Sequence, residues 1–426
     1  MSDIWPTVPP SGGEPTWPGP DRSPLEGAPA GPDGPGHDAP ARTTDVPRRL
    51  RHYISAVLAV LMLAAVGSAV GVAVHDSGKF LLFSVGDAPT VTADPSCREV
   101  SGGFYLPGGV PCVRIEVPRT KVHKLHGRIL MVDVEVGPAS PLDWAEWQLG
   151  LLGSDHEMAP VVDYSGNTPP SQLACQDAQQ MQSADEAAAL AALTRLGYRG
   201  TVREVGALVS GVLAGTPAAK AGLHCGDVIT AVNGKAVSGP VGLTELLAPL
   251  APGTAVHLSV TPSSGSGTRH LVLHLAAPPK VLRAEGFSGH SYMGVDIQAK
   301  VRLTLPFPLS VNAGNIGGSS AGLAFTLAML DTLTNGNLTG GHFVGATGTI
   351  DPNGQVGDVS GVREKTVAVE RAGARVFFVP RDEAATARAV AGARLRVYGV
   401  TSLGQVLSIL HTRYGGSLPA RMAPRT

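Results

Sequence analysis

The chain has 426 residues, too many for one ordinary domain, so its length alone predicts two or three folded units. Its 33 basic and 34 acidic residues give a formal net charge of -1. Because no Lys/Arg-rich stripe with interleaved aromatic residues occurs, the composition argues against nucleic acid as a partner.

A tail of low complexity comes first. Residues 1–47 are rich in Pro, Gly, Asp and Ala and contain almost no aliphatic residues from which a core is built. Such a segment cannot bury enough apolar surface to offset the entropy of folding. We therefore predict a disordered cytoplasmic tail over residues 1–51.

An apolar segment follows the tail. Tyr53–Val74 spans 22 residues without a charge, long enough to cross a bilayer, and we assign a transmembrane helix to residues 52–74. Three arginines precede it, so the positive-inside rule predicts a cell-membrane protein exported after His75. A cleavable signal peptide is the alternative, but its apolar stretch would be shorter, and no small-x-small site follows before Asp76.

The four cysteines all follow the apolar segment. Export would place them in an oxidising compartment, where an even number favours disulfides. Cys97 and Cys112 flank a short Gly/Pro loop and are the obvious local pair, while Cys175 with Cys225 follows by elimination only. A zinc site is the alternative, but no C-x-x-C or C-x-x-H spacing supports it, so no metal is predicted.

Residues 75–196 alternate strand-like and helical segments. CVRIEVP and RILMVDVEV alternate as strands do, whereas PLDWAEWQLGLL and a long segment that stops at Gly197 have helical spacing. No catalytic group of residues is evident in this exported region, so we expect it to be structural.

Residues 197–278 change character. The segment Val212–Val237, VLAGTPAAKAGLHCGDVITAVNGKAV, resembles a PDZ domain of the kind attached to exported bacterial proteases, although Cys225 stands where proline is common. The resemblance implies binding of extended peptides by strand addition. A rigid spacer is the alternative, because fold does not fix function. The loop that would bind a peptide carboxylate cannot be recognised in the sequence. A weak peptide-binding candidate is the segment Gly197, Tyr198, Arg199 and Gly200.

A glycine-rich turn precedes the next apolar helix. In GNIGGSSAG, the position where a chymotrypsin-like protease has its serine is Ile316, which cannot act as a nucleophile. Ser320, after Gly318 and Ser319, is placed at the start of the helix, where free amides and the helix dipole suit a developing oxyanion. The alternative is that Ser320 is only an N-cap.

A lysine lies on the apolar face of a later helix. Val362, Lys365, Thr366 and Val369 share one face, whereas Glu364 and its charged neighbours are expected to face water. Burial disfavours the ammonium and lowers the pKa of the amine, which makes Lys365 a candidate base. The alternative is a lysine whose amine reaches solvent along its methylenes.

Taken together, these features resemble the proteolytic domain of the Lon family over about Ser291–Val406. GSSAG resembles the nucleophile motif with Ser320 as the serine, and SGVREK resembles the base motif with Lys365 as the lysine. Thr347 of ATGTI matches the residue that hydrogen-bonds the lysine in that family. The sequence departs from the family pattern at three positions, Ser319, Ser360 and Arg363. None of these departures removes a residue of the dyad.

The sequence lacks other features that would change this interpretation. No G-x-x-x-x-G-K-[ST] loop occurs, so the resemblance is to membrane-anchored, ATP-independent Lon-like proteases. An HtrA-type protease would need a serine at Ile316 and an upstream protease domain, and an intramembrane metalloprotease would need H-E-x-x-H. Neither condition is met.

We therefore predict an α+β multidomain protein with a single N-terminal transmembrane helix, a PDZ domain over residues 197–278 and a Lon-type α/β proteolytic domain over residues 279–415. A short tail is predicted over residues 416–426. The predicted function is a serine endopeptidase that cleaves unfolded or flexible exported polypeptides without a cofactor or ATP. The alternative is a non-catalytic PDZ scaffold with a degenerate Lon-like fold. A homo-oligomer is compatible with the sequence.

Overall fold

The computed structural model describes residues 48–100, 103–153, 155–162, 168–265, 267–280 and 291–421. Of the tail predicted over residues 1–51, residues 1–47 lie outside the described residues. The chain divides into two compact units, residues 1–63 and 64–426. Helix α1, Arg48–Ser77, begins in the first unit and ends in the second.

Part of helix α1 is apolar enough to cross a membrane. The segment Val60–Ser77 meets the requirement by length and composition. A signal sequence near an N-terminus meets the same requirement. The helix is therefore compatible with the predicted span without deciding between the two interpretations.

The described residues from Phe80 to Arg195 form short strands and helices. Alternating apolar residues make the strands, and Ser140 starts the first helix with a capping box to Asp143. In chain order the elements are β1 (Phe80–Val85), β2 (Thr90–Thr92), β3 (Arg98–Val100), β4 (Gly103–Leu106), β5 (Val110–Glu116), β6 (Arg128–Leu130), β7 (Val134–Pro138), α2 (Pro141–Gln148), β8 (Glu157–Pro160) and α3 (Pro170–Arg195).

A second group of elements follows, which we call the inserted domain, residues 201–304. Thr216 caps a short helix that Pro217 begins, as the sequence suggested. The elements are β9 (Thr201–Val212), α4 (Pro217–Lys220), β10 (Val228–Val232), β11 (Lys235–Ala236), α5 (Pro240–Leu247), β12 (Ala255–Thr261), β13 (Arg269–His274) and β14 (Val295–Thr304).

The remaining elements alternate strands and helices to Tyr414. The Gly354 amide donates to the Asp351 carbonyl oxygen at 2.9 Å, and this turn, with the sequence D-P-N-G, joins the two strands of a hairpin. The elements are β15 (Ser310–Asn312), α6 (Gly322–Leu333), β16 (Phe343–Ala346), β17 (Thr349–Ile350), β18 (Val356–Gly357), α7 (Val362–Arg371), β19 (Val376–Pro380), α8 (Ala384–Val390), β20 (Arg396–Val400) and α9 (Leu403–Tyr414).

The elements from Phe80 to Tyr414 that lie outside the inserted domain form what we call the main domain. A nine-stranded sheet lies at its centre. Its strands run in the order β20-β19-β16-β6-β2-β5-β4-β3, with β15 paired to β5. Strands β6, β16, β19 and β20 are parallel neighbours, and β2 is parallel to β5. All twelve residues of α6 are buried, and α6 contacts α3.

This sheet does not follow the predicted domain boundaries. Residues 75–196 were expected to form a region separate from residues 279–415, yet β2 to β6 come from the first range and β15, β16, β19 and β20 from the second. The two ranges share one core that includes Leu193 of α3 and Leu327 of α6. Neither range can bury its apolar residues alone, so a boundary between them has no physical basis.

The inserted domain has its own sheet in the order β13-β12-β10-β9-β14, with β11 paired to β10. It extends past the predicted boundary at residue 278, because β14 pairs with β9 over its whole length. Thr201 lies opposite Thr304, so the two ends of this domain are adjacent. Its core is separate from that of the main domain and includes Ile229 and Val256.

Candidate active site

A cavity of about 640 Å³ lies in the main domain. Its wall contains the turn before α6, the start of α7 and the chain between β6 and β7. Ser320 and Lys365 both line it. The structure therefore brings the two residues of the predicted dyad to one cavity, although 44 other residues separate them in the chain.

Ser320 lies in the turn just before α6. Gly318 has φ of 89°, a conformation that favours glycine, and α6 begins two residues after the serine, at Gly322. The residue at the N-cap is Ala321, and no side chain caps this helix. The Ser320 hydroxyl is thus not used as an N-cap, which was the alternative role suggested by the sequence.

The backbone on both sides of Ser320 is fixed by hydrogen bonds. Its carbonyl oxygen accepts from the Gly348 amide at 2.8 Å and from the Thr347 hydroxyl at 3.2 Å. The Gly318 amide donates to the carbonyl oxygen of Asp177 on α3 at 2.9 Å. The turn is therefore held between α3 and the chain that leaves β16.

The amides of the same turn are unused. Among the described residues, no acceptor is bonded to the backbone N–H groups of Ser319, Ser320 and Ala321. Free amides at the positive end of a helix stabilise an anion. The turn can therefore provide donors for a negatively charged oxygen.

Lys365 lies in the first turn of α7 and is only 4% exposed. Gly361, with φ of 67°, directs the chain into this helix, and its carbonyl accepts from the Lys365 amide at 3.0 Å. Burial lowers the pKa of the lysine to about 8, and the nearby carboxylates of Glu383, Asp133 and Glu364 oppose this effect. The exposure excludes a side chain that extends to bulk water.

Asp133 is a further group in this cavity that the sequence did not indicate. It follows β6, and its carboxylate accepts a hydrogen bond from the Asp87 amide. Burial raises its pKa to about 6. Asp133 lies in a region that was expected to be structural, and no motif marks it, because it meets Lys365 only through the pairing of the sheet.

Glu364 corrects the prediction for α7. It was expected to face water, but it is fully buried, and burial raises the pKa of its carboxyl group. Its oxygens have no hydrogen-bond partner among the described residues. The strand β1 contacts α7, and the helix is therefore covered on more than the one face that its periodicity revealed.

The other predicted supporting residues surround the serine. Gly318 and Ser319 line the cavity in the turn. Thr347 is fully buried, and its hydroxyl bonds the Ser320 carbonyl oxygen. In this structure Thr347 thus holds the backbone of the serine, whereas the family resemblance implied a hydrogen bond to the lysine.

The peptide-binding candidate at Gly197, Tyr198, Arg199 and Gly200 lies elsewhere. These residues follow α3, and the Tyr198 ring packs edge-on against Phe307 with ring centroids 5.6 Å apart. Both rings pack on the core of the main domain. The segment therefore connects α3 to the inserted domain.

The cysteines form two disulfides in the structure. Cys97 and Cys112 are bonded within the main domain. Cys175 on α3 is bonded to Cys225, which precedes β10. Gln179 of α3 donates to the Val209 carbonyl oxygen of β9 at 3.0 Å, so α3 joins the inserted domain through covalent and polar contacts.

Two protein-family models match parts of the chain. Residues 208–261 match the PDZ domain, and residues 305–413 match the Lon protease C-terminal proteolytic domain. The first range lies within the inserted domain. The second contains Ser320, Thr347 and Lys365.

Curated proteins match the same two parts. A probable periplasmic serine endoprotease DegP-like from Brucella suis is 48% identical over 61 residues, 14% of this chain and 12% of that protein. Lon protease 1 from Herpetosiphon aurantiacus is 32% identical over 131 residues, 30% of this chain and 15% of that protein. The chain thus spans less than a fifth of the length of either relative.

A solved structure of the PDZ domain of the SdrC-like protein from Listeria monocytogenes is also similar. Its sequence identity is 24%, and the match covers 22% of this chain and 87% of that domain, with a TM-score of 0.19. The family models identify both parts without it. The chain therefore combines a PDZ domain with a proteolytic domain of the Lon family.

Proposed function

We propose that the chain is a serine endopeptidase in which Ser320 is the nucleophile and Lys365 is its base. The observation that carries this proposal is one cavity lined by a serine beside free amides and by a buried lysine whose pKa is lowered. A neutral amine accepts a proton, and an ammonium does not.

In the proposed reaction, the Ser320 hydroxyl attacks the peptide carbonyl and gives its proton to the Lys365 amine. The amides of the turn stabilise the oxyanion that forms. Lys365 then protonates the leaving amine, and an acyl-enzyme remains. Lys365 next takes a proton from a water molecule, which attacks the ester carbonyl. The Ser320 oxygen then leaves with the proton from Lys365, and the free serine is restored. No step uses a nucleotide or a metal.

We further propose that the inserted domain binds substrate segments by strand addition. Strand β14 is the last strand of its sheet, and α5 contacts it. Just before β14, the amides of Met293 and Gly294 donate to no acceptor among the described residues. An extended peptide can pair with this edge and place its terminal carboxylate near these amides.

The proposed substrates are flexible polypeptides outside the cytoplasm. The chain carries no P-loop motif, so we propose cleavage that does not depend on ATP-driven unfolding. Helix α1 supports membrane anchoring, and the two disulfides support an oxidising compartment.

The test is hydrolysis of β-casein, an unfolded protein, by the full-length chain in detergent without ATP. Ser320→Ala should reduce the rate by at least about 10³-fold, because the nucleophile is lost. Ser319→Ala, one residue earlier in the same turn, is the matched control and should retain turnover. No hydrolysis by wild type would instead favour a non-catalytic PDZ scaffold, and equal non-zero rates for wild type and Ser320→Ala would exclude Ser320 as the nucleophile.

A further inference from the structure

The cavity wall has an excess of negative charge. Asp133, Asp177 and Asp358 line it, whereas Lys365 is the one cationic residue among the described residues that line it. None of the three carboxylates forms an ion pair with a described residue. A half-buried carboxylate without a cation is costly, and a cationic ligand removes part of that cost.

The cavity wall also carries apolar side chains beside its polar groups. Its apolar side chains come from five separate segments of the main domain and include Phe83, Met131, Val136, Met181, Ile316 and Val359. Lysine and arginine side chains have an apolar stem and a charged end. A cavity with apolar walls and carboxylates fits such a side chain better than it fits an acidic or a wholly apolar one.

Asp177 is the carboxylate best placed to act on the substrate. Its backbone oxygen accepts from the Gly318 amide, and a Cβ on Gly317 would lie 2.7 Å from the Asp177 Cβ. This aspartate is therefore packed against the turn that carries Ser320. Burial alone raises its pKa, so no neighbouring cation stabilises its charge. Asp133, in contrast, already acts on Lys365.

We propose that the cavity selects a lysine or arginine side chain of the substrate next to the cleaved bond, and that the Asp177 carboxylate recognises its charge. This inference rests on the proposed peptidase function. Ser320 and Lys365 perform the chemistry, and Asp177 sets the specificity. An acidic substrate side chain is rejected by the same carboxylate.

The first experiment maps the cleavage sites of wild type in β-casein by mass spectrometry. We expect Lys and Arg within two residues of most cleaved bonds. Synthetic peptides spanning one mapped site then carry Lys, Met or Glu at the selected position, and kcat/KM is measured for each. Wild type should prefer Lys over Met by about tenfold or more, which corresponds to about 1.4 kcal/mol.

Asp177→Asn keeps the shape of the side chain and removes its charge. It should abolish the preference, so that the ratio of kcat/KM for the Lys peptide to that for the Met peptide falls from about tenfold or more to about one. Asp177→Lys should favour the Glu peptide. Glu99→Gln removes an exposed carboxylate that does not line the cavity, so it should leave the preference unchanged. Retention of the wild-type preference in folded Asp177→Asn would overturn the proposal.

Failure of this inference can be separated from failure of the peptidase function. Binding of the same three peptides to Ser320→Ala protein, measured by fluorescence anisotropy, requires no turnover. Tighter binding of the Lys peptide that depends on Asp177 supports the charge recognition even if wild type hydrolyses nothing. Equal binding of all three peptides, with cleavage of β-casein by wild type, would refute the inference and leave the peptidase function intact.

Discussion

At the scale of single residues, the reactivity of Lys365 depends on its burial. With a pKa of about 8, roughly one-tenth of its amines are neutral at pH 7, compared with less than about one in a thousand for a lysine in water. Glu383, Asp133 and Glu364 act against this, because each carboxylate favours the ammonium. The pKa of this proposed base is therefore the result of two opposing effects, burial and the nearby carboxylates.

Substitution of Lys365 tests its role as the base. Lys365→Ala should reduce turnover as strongly as Ser320→Ala, by about 10³-fold or more, because nucleophile and base act as one unit. Lys365→Arg should fail equally, since a guanidinium does not deprotonate. Lys235→Ala, an exposed lysine of the inserted domain, is the control. A folded Lys365→Ala protein, judged by circular dichroism, that cleaves β-casein at the wild-type rate would contradict this role.

The pH dependence tests the opposing carboxylates. Turnover by wild type should rise as pH increases through about 8, because the neutral amine is the active form. Asp133 raises the pKa of Lys365, so Asp133→Asn should lower that pKa and move the rising limb to lower pH. The measurement is kcat/KM between pH 5 and 10 on one peptide. A limb that stays in place or moves to higher pH would exclude this coupling.

Ser320 and Lys365, the proposed dyad, could be singled out from the sequence, whereas Asp133 and Asp177 could not. Ser320 and Lys365 are each marked by a local motif. Asp133 and Asp177 carry no motif and reach the cavity only because β6 and α3 pack beside the turn. A residue that reaches a site only through tertiary packing leaves no periodic signal in a single sequence.

At the scale of elements, the start of α7 determines where the amine lies. Gly361 has a positive φ, and a Cβ there would lie 2.8 Å from Cγ2 of Val134. The helix thus enters the cavity wall through a position that only glycine fits without strain. Any shift of this entry moves Lys365, which follows one turn later.

Gly361→Ala should therefore reduce activity and destabilise the fold by about 1 to 2 kcal/mol from the left-handed backbone alone. The contact with Val134 adds to that loss. Gly373→Ala at the other end of α7 is the matched control, because its φ of 85° is also positive but nothing lies within 4 Å of its Cβ. Peptidase rate and thermal unfolding are measured for both. Equal losses of activity would argue against the proposed role of the entry.

Local signals predicted some elements better than others. The D-P-N-G hairpin and the start of α7 follow from turn chemistry and helical spacing, and both are present. The helix after the serine begins at Gly322, two residues later than expected, because Ser320 bonds through its carbonyl to Thr347 and Gly348. Glu364 was wrongly predicted to face water, because the residue spacing within α7 does not reveal that β1 packs against this helix.

At the scale of the whole molecule, the inserted domain can be removed as a unit. Thr201 and Thr304 lie opposite each other, so a two-residue turn can join them. Removal exposes polar side chains of α3, since Gln172 and Gln179 are the residues that hydrogen-bond β9. The main domain has its own core and should remain folded.

A variant in which Asn-Gly replaces residues 202–303, with Cys175→Ser, tests this. It should cleave short peptides with kcat/KM within about threefold of wild type, because the inserted domain has no dyad residue. It should lose any preference for proteins that present a PDZ-binding C-terminus, measured by competition between two labelled substrates. Complete loss of peptide cleavage in a folded variant would show that the inserted domain supports the active turn directly.

The domain content was predictable from sequence, whereas the way the domains are joined was not. The motifs of the PDZ and proteolytic domains are contiguous in the chain. The pairing of β6 with β16 joins residues on either side of the inserted domain, and no local pattern encodes such a partner. For this reason residues 75–196 were assigned to a separate region.

The same pairing has a consequence for biogenesis. Arg128 lies opposite Phe343, so the central strands of the catalytic sheet cannot meet until the intervening domain has been synthesised. Contacts of such high sequence separation form slowly, whereas the inserted domain closes within its own segment. A nascent chain therefore completes its PDZ domain before the sheet of its Lon-family domain, and the proposed active site is assembled only when the last strands are in place.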